Sequence, residues 1–250
     1  MGVMSSNSKK RRTRRRHAVA ALAAGALTIV ASLAFWQISR ARCFSLVGPA
    51  ICRVETSKPI VALTFDDGPT ALGVDAVLPV LEDHDAHATF FLIGNEVARR
   101  PDLAARLAQA GQELGNHSFS HVRMIGRSRA FYDQEIEDTN ALLRRAGGSP
   151  SLLRPPYGKK LLGLPLAVQR HRLRMVLWDV EDPQVSSPGA FANRVVAEAR
   201  PGSIILLHAM YPANGTARRA LPLILDGLEA KGLQVVSVGT LLDAAGEGGT

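Results

Sequence analysis

Two histidines in the segment His-Ser-Phe-Ser-His, His117 and His121, have the spacing of paired metal ligands. On a helical turn this spacing places both imidazoles on one side, where they can bind a divalent cation. A third ligand is needed, and the carboxylates of Asp66 and Asp67 at the end of a predicted strand can supply it. Two histidines, one aspartate and an open position are typical of a catalytic rather than a structural metal site.

Asp66 and Asp67 are adjacent, so along an extended strand their side chains point in opposite directions. This predicts that one carboxylate binds the metal while the other contacts substrate or water. The following Gly68-Pro69 predicts a turn that keeps the end of the strand open.

Arg154 and His208 are two further candidates for chemistry. Arg154 opens the segment Arg-Pro-Pro-Tyr-Gly, whose two prolines stiffen the backbone, so that the N–H of Tyr157 could face a developing oxyanion. The guanidinium of Arg154 would orient a buried carboxylate and lower its pKa. His208 follows four apolar residues, and we expect it at the mouth of the core, where an imidazole can protonate a leaving group.

Strand-like and helix-like patterns alternate after residue 58 and place these residues. The predicted strands, several of them continuously apolar as in sheets buried on both faces, are 60–65, 88–93, 112–116, 152–154, 174–178, 203–208 and 233–238. The predicted helices are 74–83, 96–110, 129–145, 161–170, 190–200, 218–231 and 240–244. Seven such repeats predict a parallel α/β fold, either a barrel or a doubly wound sheet, and the number of repeats and the compact length favour a barrel, complete or incomplete. The candidate residues follow strand ends, where such folds build active sites.

The formal net charge of +8 is concentrated at the N-terminus. Nine of the 30 Lys and Arg lie in residues 1–42, so the remainder nearly balances 22 Asp and Glu. A nucleic-acid-binding surface would need its positive charge on the folded domain, so we expect no nucleic-acid partner.

An uncharged run of 22 residues, 18–39, follows the basic segment 9–16. A helix of this length spans about 33 Å, close to the thickness of a bilayer core. The basic flank predicts a cytoplasmic tail over 1–17 and an extracytoplasmic remainder. An uncleaved anchor is favoured over a signal peptide cut after Ala34, in which case the protein would be secreted.

The sequence divides further into a stalk over 40–58, a folded domain over 59–245 and a flexible tail over 246–250. Cys43 and Cys52 lie in the predicted stalk. In an oxidising compartment they could close a short loop, although the sequence alone is equally compatible with two unpaired thiols.

Four motifs in order resemble the polysaccharide deacetylases of the NodB-homology type, carbohydrate esterase family 4. They are Thr64-Phe65-Asp66-Asp67-Gly68-Pro69, His117-Ser118-Phe119-Ser120-His121, Arg154-Pro155-Pro156-Tyr157-Gly158 and Leu206-Leu207-His208. The resemblance covers about residues 58–245. It implies a distorted (β/α)-barrel and metal-dependent removal of acetyl groups from amino sugars.

The resemblance also implies a role for each residue. Asp67, His117 and His121 would hold a divalent metal, with Zn²⁺ favoured over Co²⁺, Mn²⁺ or Ni²⁺. Asp66 would be the general base and His208 the general acid. The remaining roles would be tuning of Asp66 by Arg154, oxyanion stabilisation by the N–H of Tyr157, and a substrate pocket lined by Leu206 and Trp178.

One motif departs from the family pattern. Family members commonly carry an Asp-Trp pair after the fifth strand, where the aspartate sets the pKa of the acid histidine. An ungapped match puts Gln184-Val185 there instead, and Asp179, Glu181 and Asp182 are the candidates to replace the aspartate.

Three functions are compatible with these residues. The favoured one is deacetylation of an N-acetylglucosamine-containing polymer outside the cytoplasm, with peptidoglycan, poly-N-acetylglucosamine, chitin-like oligomers and O-acetylated xylan left open as substrates. The altered motif suggests a catalytically inactive polysaccharide-binding relative as an alternative. Two histidines and a carboxylate are also the ligands of non-haem iron oxygenases, although the order of the other motifs argues against that class.

Overall fold

The computed structural model describes residues 4–246 and separates into two compact units, one ending at Ala41 and one beginning at Arg42. The first unit is helix α1, Met4–Arg40, which is longer than the predicted span because it includes the whole basic segment 9–16. Its stretch Lys10–Ser39 is long and apolar enough to cross a membrane, by length and composition. Residues 247–250 of the predicted tail lie outside the described part.

The second unit is built on seven parallel strands. In chain order these are β1 Ile60–Asp66, β2 Thr89–Leu92, β3 Glu113–Asn116, β4 Leu152–Leu153, β5 Arg174–Met175, β6 Ile204–His208 and β7 Gln234–Val236. They are arranged in the order β5-β4-β3-β2-β1-β6, and β7 pairs with the first residues of β1. The predicted α/β architecture, a distorted barrel of parallel strands, is confirmed.

Eight helices follow or connect these strands. They are α2 Ala71–Asp83, α3 Gly94–Arg99, α4 Pro101–Gln109, α5 Arg129–Arg145, α6 Gly163–Arg170, α7 Pro188–Glu198, α8 Gly215–Ala230 and α9 Val238–Gly246. The prediction of a single helix over 96–110 is wrong, because the helical structure is interrupted at Arg100. Pro101 lacks a backbone N–H and disfavours helical geometry in the residue before it, so it begins a new helix.

The side chains of strand β1 alternate between the two apolar clusters of the unit. Its residues Val61, Leu63 and Phe65 belong to the apolar cluster beneath the surrounding helices. The alternate residue Ala62 packs in the second cluster, with core residues of the other strands. Because side chains alternate along a strand, Asp66 shares the inner face with Ala62. The first candidate carboxylate is therefore carried at the inner rim of the sheet.

The segment predicted as a stalk differs in the structure. Cys43 and Cys52 form a disulfide. Ile51 lies beside Val176 in a parallel bridge, and residue 53 bridges to residue 203 at the start of β6. The segment thus lies between β5 and β6, the two ends of the strand order. The compact unit therefore begins at residue 42, whereas the folded domain was predicted to begin at residue 59. Isolated bridges have no periodic pattern, so they could not be predicted from the sequence.

Candidate active site

Asp66 is held in a buried ion pair at the end of β1. It is 3% exposed, and Nη1 of the fully buried Arg154 donates to its Oδ1 at 2.7 Å. The same nitrogen donates to Thr64 Oγ1 at 2.7 Å, and Nη2 donates to the Leu177 carbonyl at 2.9 Å. Burial by itself would raise the pKa of Asp66, but the charges of Arg154, His117 and His208 and the hydrogen bond from Arg154 outweigh it, so the pKa is lowered. Asp66 is therefore ionised at neutral pH.

Asp67 does not continue the strand, contrary to the expectation that the two aspartates point in opposite directions. Its φ of 76° turns the chain at the strand end, before a cis peptide between Gly68 and Pro69. Both carboxylates lie near the His117 imidazole, and that of Asp67 also lies near His121. Asp67 Oδ1 lies 3.3 Å from His121 Nε2 and 3.8 Å from His117 Nε2, while Asp66 Oδ2 lies 3.6 Å from His117 Nε2.

The loop with the two histidines is not the helical turn that their spacing predicts. Residues 117–121 follow β3 as irregular backbone, and both Ser118 (φ 64°) and His121 (φ 56°) are left-handed. These two reversals still bring the imidazoles to 5.0 Å between ring centroids. The prediction of a shared side was right, but the local structure behind it was wrong.

Glu135 on α5 holds this loop in shape. Its Oε2 accepts hydrogen bonds from the backbone N–H groups of Phe119 and Ser120, both at 2.9 Å, and its Oε1 accepts from Ser120 Oγ at 2.6 Å. The sequence reasoning missed Glu135. It lies in the buried stripe of α5 between Tyr132 and Ile136. A carboxylate in such a stripe needs partners, which is the signal that could have found it.

The tautomer of His117 follows from its surroundings. Its Nδ1 lies 2.8 Å from the Arg154 carbonyl, which can only accept, so Nδ1 carries the hydrogen and Nε2 has its lone pair free. The pKa of His121 is lowered by burial and by the neighbouring His117, which favours the neutral form. Neutral imidazoles are the form that binds metals.

Asp67, His117 and His121 fit a divalent cation. One ligand atom from each lies within 4.8 Å of the other two. Oδ1 of Asp67 is buried and, among the described residues, has no hydrogen-bond partner. A buried carboxylate oxygen without a donor is costly unless a cation satisfies it. Two nitrogens and one oxygen suit a catalytic site with an open position.

His208 at the end of β6 faces the cluster from another side. Its Nδ1 lies 2.7 Å from Asp182 Oδ2, and its backbone N–H also donates to the Asp182 carboxylate. Burial would lower the pKa of His208, but this hydrogen bond and the charges of Asp182 and Asp66 raise it to about 9. His208 is therefore protonated at neutral pH.

The structure distinguishes the three acidic candidates near His208. Asp179 accepts from Ser203 Oγ and the Ile204 N–H, whereas Glu181 accepts from Trp178 Nε1. Only Asp182, of the three, bonds to His208.

A cavity of about 550 Å³ joins these groups. The candidate site residues line it except Asp179 and Arg154, and Arg154 is bonded to Asp66. Leu206 and Trp178 form part of its wall, and the Tyr157 ring, 56% exposed, packs 4.9 Å from the His121 ring. Tyr157 has a φ of 58° in the short 3₁₀ turn Pro156–Gly158. The cavity thus brings together three residues that fit a metal, a carboxylate whose pKa is lowered and an imidazole whose pKa is raised.

Comparison with known proteins identifies the family of this chain. The family model described as polysaccharide deacetylase matches residues 53–176. A peptidoglycan-N-acetylglucosamine deacetylase of Bacillus cereus is 33% identical over 196 residues, covering 76% of this chain and 71% of that protein. The peptidoglycan-N-acetylmuramic acid deacetylase PdaC of Bacillus subtilis is 34% identical over 191 residues, covering 75% of this chain and 40% of that protein.

The solved structure of a protein that is described as inactive is also similar to this chain. BA3943 of Bacillus anthracis, described as a pseudoenzyme of carbohydrate esterase family 4, matches with a TM-score of 0.70 and 28% identity, covering 78% of this chain and 69% of that one. Some of the matched relatives are much longer, and the chain spans about 40% of the length of PdaC. On the family match and these relatives, the chain belongs to the polysaccharide deacetylases of carbohydrate esterase family 4.

Proposed function

We propose that this protein hydrolyses acetyl groups from an N-acetylglucosamine-containing polysaccharide outside the cytoplasm. One observation carries the proposal: Asp66, the cluster of Asp67, His117 and His121, and His208 line the same cavity. The lowered pKa of Asp66 and the raised pKa of His208 support it. Amide hydrolysis needs an acceptor for the proton of the attacking water and a donor for the departing amine. Asp66 and His208 are suited to these two roles.

Asp66 would act through Oδ2, because Arg154 already occupies Oδ1. As a new bond forms from the water oxygen to the acetyl carbon, Oδ2 accepts the proton of the water. When bound to Asp67, His117 and His121, a divalent cation would polarise the acetyl carbonyl and lower the pKa of water. The two histidines present Nε2 towards Asp67, while Arg154 keeps Asp66 ionised.

His208 would complete the reaction on the amine side. Asp182 occupies its Nδ1, so Nε2 carries the proton that passes to the sugar nitrogen as the C–N bond breaks. The products are acetate and a free amine on the sugar. The N–H of Tyr157 is proposed as an oxyanion donor and Leu206 as a wall of the acetyl pocket, both in keeping with their positions at the cavity.

Zn²⁺ is the proposed metal, since two imidazoles, one carboxylate and an open position form a common catalytic zinc site. Co²⁺, Mn²⁺ and Ni²⁺ accept similar ligands and are to be compared directly. Peptidoglycan is the first substrate to test, because two of the similar proteins are described as peptidoglycan deacetylases.

Helix α1 is proposed to anchor the protein, with the deacetylase unit outside the cytoplasm. Its apolar stretch and its basic flank support this arrangement. The disulfide between Cys43 and Cys52 is consistent with an oxidising compartment. Cleavage of α1 as a signal peptide would release the same unit in soluble form.

An inactive polysaccharide-binding protein is the second candidate, because the similar BA3943 is described as a pseudoenzyme. In this chain Gln184-Val185 stands in the place of the Asp-Trp pair, which also suggests an inactive relative. The contact of Asp182 with His208 favours catalysis, since it supplies the carboxylate that the motif lacks.

Acetate release by the full-length protein in detergent tests the proposal. Peptidoglycan and N-acetylglucosamine oligomers are incubated with metal-depleted protein and again after addition of Zn²⁺, Co²⁺, Mn²⁺ or Ni²⁺. Metal-dependent acetate is the expected result. Binding of metal and polysaccharide without acetate release from any substrate would favour the inactive relative.

A further inference from the structure

The loop closed by Cys43 and Cys52 is attached directly to a wall of the active-site cavity. The N–H of Ile51 donates to the Met175 carbonyl at 3.0 Å, and the N–H of Leu177 donates back to the Ile51 carbonyl at 2.6 Å. The next residue, Trp178, lines the cavity. The family model matches from residue 53, so this loop lies before the matched residues.

Arg42, immediately before the loop, reaches two residues of this wall. Its Nη1 lies 3.2 Å from Glu181 Oε2, and its guanidinium carbon lies 5.9 Å from the centre of the Trp178 ring. Trp178 Nε1 donates to the same Glu181 oxygen at 2.7 Å. Glu181 also lines the cavity and directly precedes Asp182, the partner of His208. The three side chains therefore form one contact group beside the proposed proton donor.

We propose that Arg42 and Glu181 form a hydrogen-bonding subsite for the sugar next to the one being deacetylated. A guanidinium only donates and a carboxylate only accepts, so together they complement neighbouring sugar hydroxyls. Both side chains are about half exposed and can reach a ligand. Trp178, 8% exposed, supports the pair rather than offering a stacking surface. The inference rests on the proposed function and adds a determinant of polymer binding.

A structural role for Arg42 makes a different prediction. The guanidinium of Arg154 also lies over the Trp178 ring, 5.5 Å from its centre. Loss of Arg42 could therefore disturb Arg154 and, through it, Asp66. That route would lower kcat for substrates of every length. A subsite instead affects KM, and only for oligomers long enough to reach it.

The first test measures acetate release by full-length Arg42→Gln protein on N-acetylglucosamine oligomers of two and five sugars. One lost hydrogen bond predicts about a 2–10-fold higher KM for the five-sugar oligomer, with a smaller change for the two-sugar oligomer and little change in kcat. Glu181→Gln, which keeps an oxygen for Trp178, should act in the same direction. An equal fall of kcat on both oligomers would overturn the subsite.

Arg106→Gln is the matched control. It removes an ion pair with Asp75 whose side chains are 46% and 59% exposed, against 42% and 52% for Arg42 and Glu181, and neither partner lines the cavity. A KM change of the same size in this control would also contradict the proposal. The variant Cys43→Ser/Cys52→Ser frees the loop and should raise the five-sugar KM as Arg42→Gln does.

A binding measurement keeps the inference testable even if no acetate is released. The chain has two tryptophans, so Trp36→Phe leaves Trp178 as the sole indole, and Asp66→Asn prevents turnover. Quenching of Trp178 fluorescence by the five-sugar oligomer then gives Kd for the full-length protein. Adding Arg42→Gln should raise Kd about 2–10-fold. Unchanged Kd would refute the subsite, whereas tight binding here together with no acetate release by the protein that keeps Asp66 would refute only the proposed catalysis.

Discussion

The two halves of the active site are built differently. Asp66, His117 and Arg154, at the ends of β1, β3 and β4, are at most 3% exposed and are bonded to one another. On the side of β5 and β6, the side chains of His208 and Asp182 are 37% and 22% exposed. We call these the buried half and the open half. Removing one member of a buried ion pair strands its partner, whereas water partly screens the open half.

This difference explains where the chain can depart from the family pattern. In the buried half, Asp66 and Arg154 satisfy each other, and few other residues could do so without leaving a buried charge. In the open half, a carboxylate needs only to reach His208 from a nearby loop. Asp182 does so from two positions before Gln184, where the ungapped motif places the aspartate.

The largest effect is expected from Asp66→Asn in the buried half. The amide cannot accept the proton of water as a carboxylate does, so kcat should fall about 10²–10⁴-fold. Asp67, His117 and His121 are untouched, so the Zn²⁺ content measured after dialysis should stay near wild type. Wild-type activity in this variant would show that Asp66 is not the base.

His117→Ala is the companion variant. It removes one ligand of the three-residue cluster, so both bound metal and acetate release should be lost together. Retained metal in His117→Ala would contradict the assignment of the cluster.

Arg154→Met tests whether the buried half depends on its ion pair. With Arg154 gone, burial raises the pKa of Asp66, and a buried unpaired carboxylate should cost about 3–5 kcal/mol of unfolding free energy at pH 7. Denaturant unfolding in the presence of a chelator measures this loss.

The pH dependence of that stability should change sign. In the wild type the folded-state pKa of Asp66 is lowered, so its contribution is present above the ordinary pKa of 3.8 and is lost as pH falls through the folded-state pKa. In Arg154→Met the folded-state pKa is raised, so stability is lost as pH rises above 3.8. Parallel pH profiles of the two proteins would mean that Arg154 does not control Asp66.

The sequence predicted the buried half by residue type but not by local structure. Strand β1 is apolar until Asp66 except for Thr64, so its place in the sheet followed from the pattern. The reversals at Asp67, Ser118 and His121 did not follow, because left-handed backbone at non-glycine residues has no periodic signature. Tertiary hydrogen bonds, such as those of Glu135 to the loop after β3, hold part of this geometry.

The open half could be predicted only in part. His208 was expected at the end of its strand, but three acidic residues remained equivalent as its partner. Which of them reaches His208 depends on the path of an irregular loop, with Asp179 used by Ser203 and Glu181 by Trp178. The role of residues 42–54 in the wall was also hidden, since it rests on single bridges across the barrel.

Glu135→Gln tests how far the buried half depends on a residue outside the motifs. The amide removes one of the two acceptors that hold the loop between His117 and His121. Loss of such a supporting contact typically lowers metal affinity about 10–100-fold, and we expect a Zn²⁺ Kd raised within that range. Glu137→Gln, on the same helix and exposed, is the control. Equal Zn²⁺ affinity in both variants would show that Glu135 does not affect metal binding.

The mildest effect is expected from Asp182→Asn in the open half. The carboxylate of Asp182 is a main cause of the raised pKa of His208, about 9, so its loss should lower that pKa towards the ordinary 6.5. His208 donates a proton only when protonated, so the alkaline limb of the kcat–pH profile should move to lower pH. Below that limb kcat should change little.

In Asp179→Asn, whose carboxylate contacts Ser203 and Ile204 instead, the limb should stay in place. A shift in Asp179→Asn alone would move the tuning role away from Asp182, and with it the argument that the open half replaces its motif aspartate.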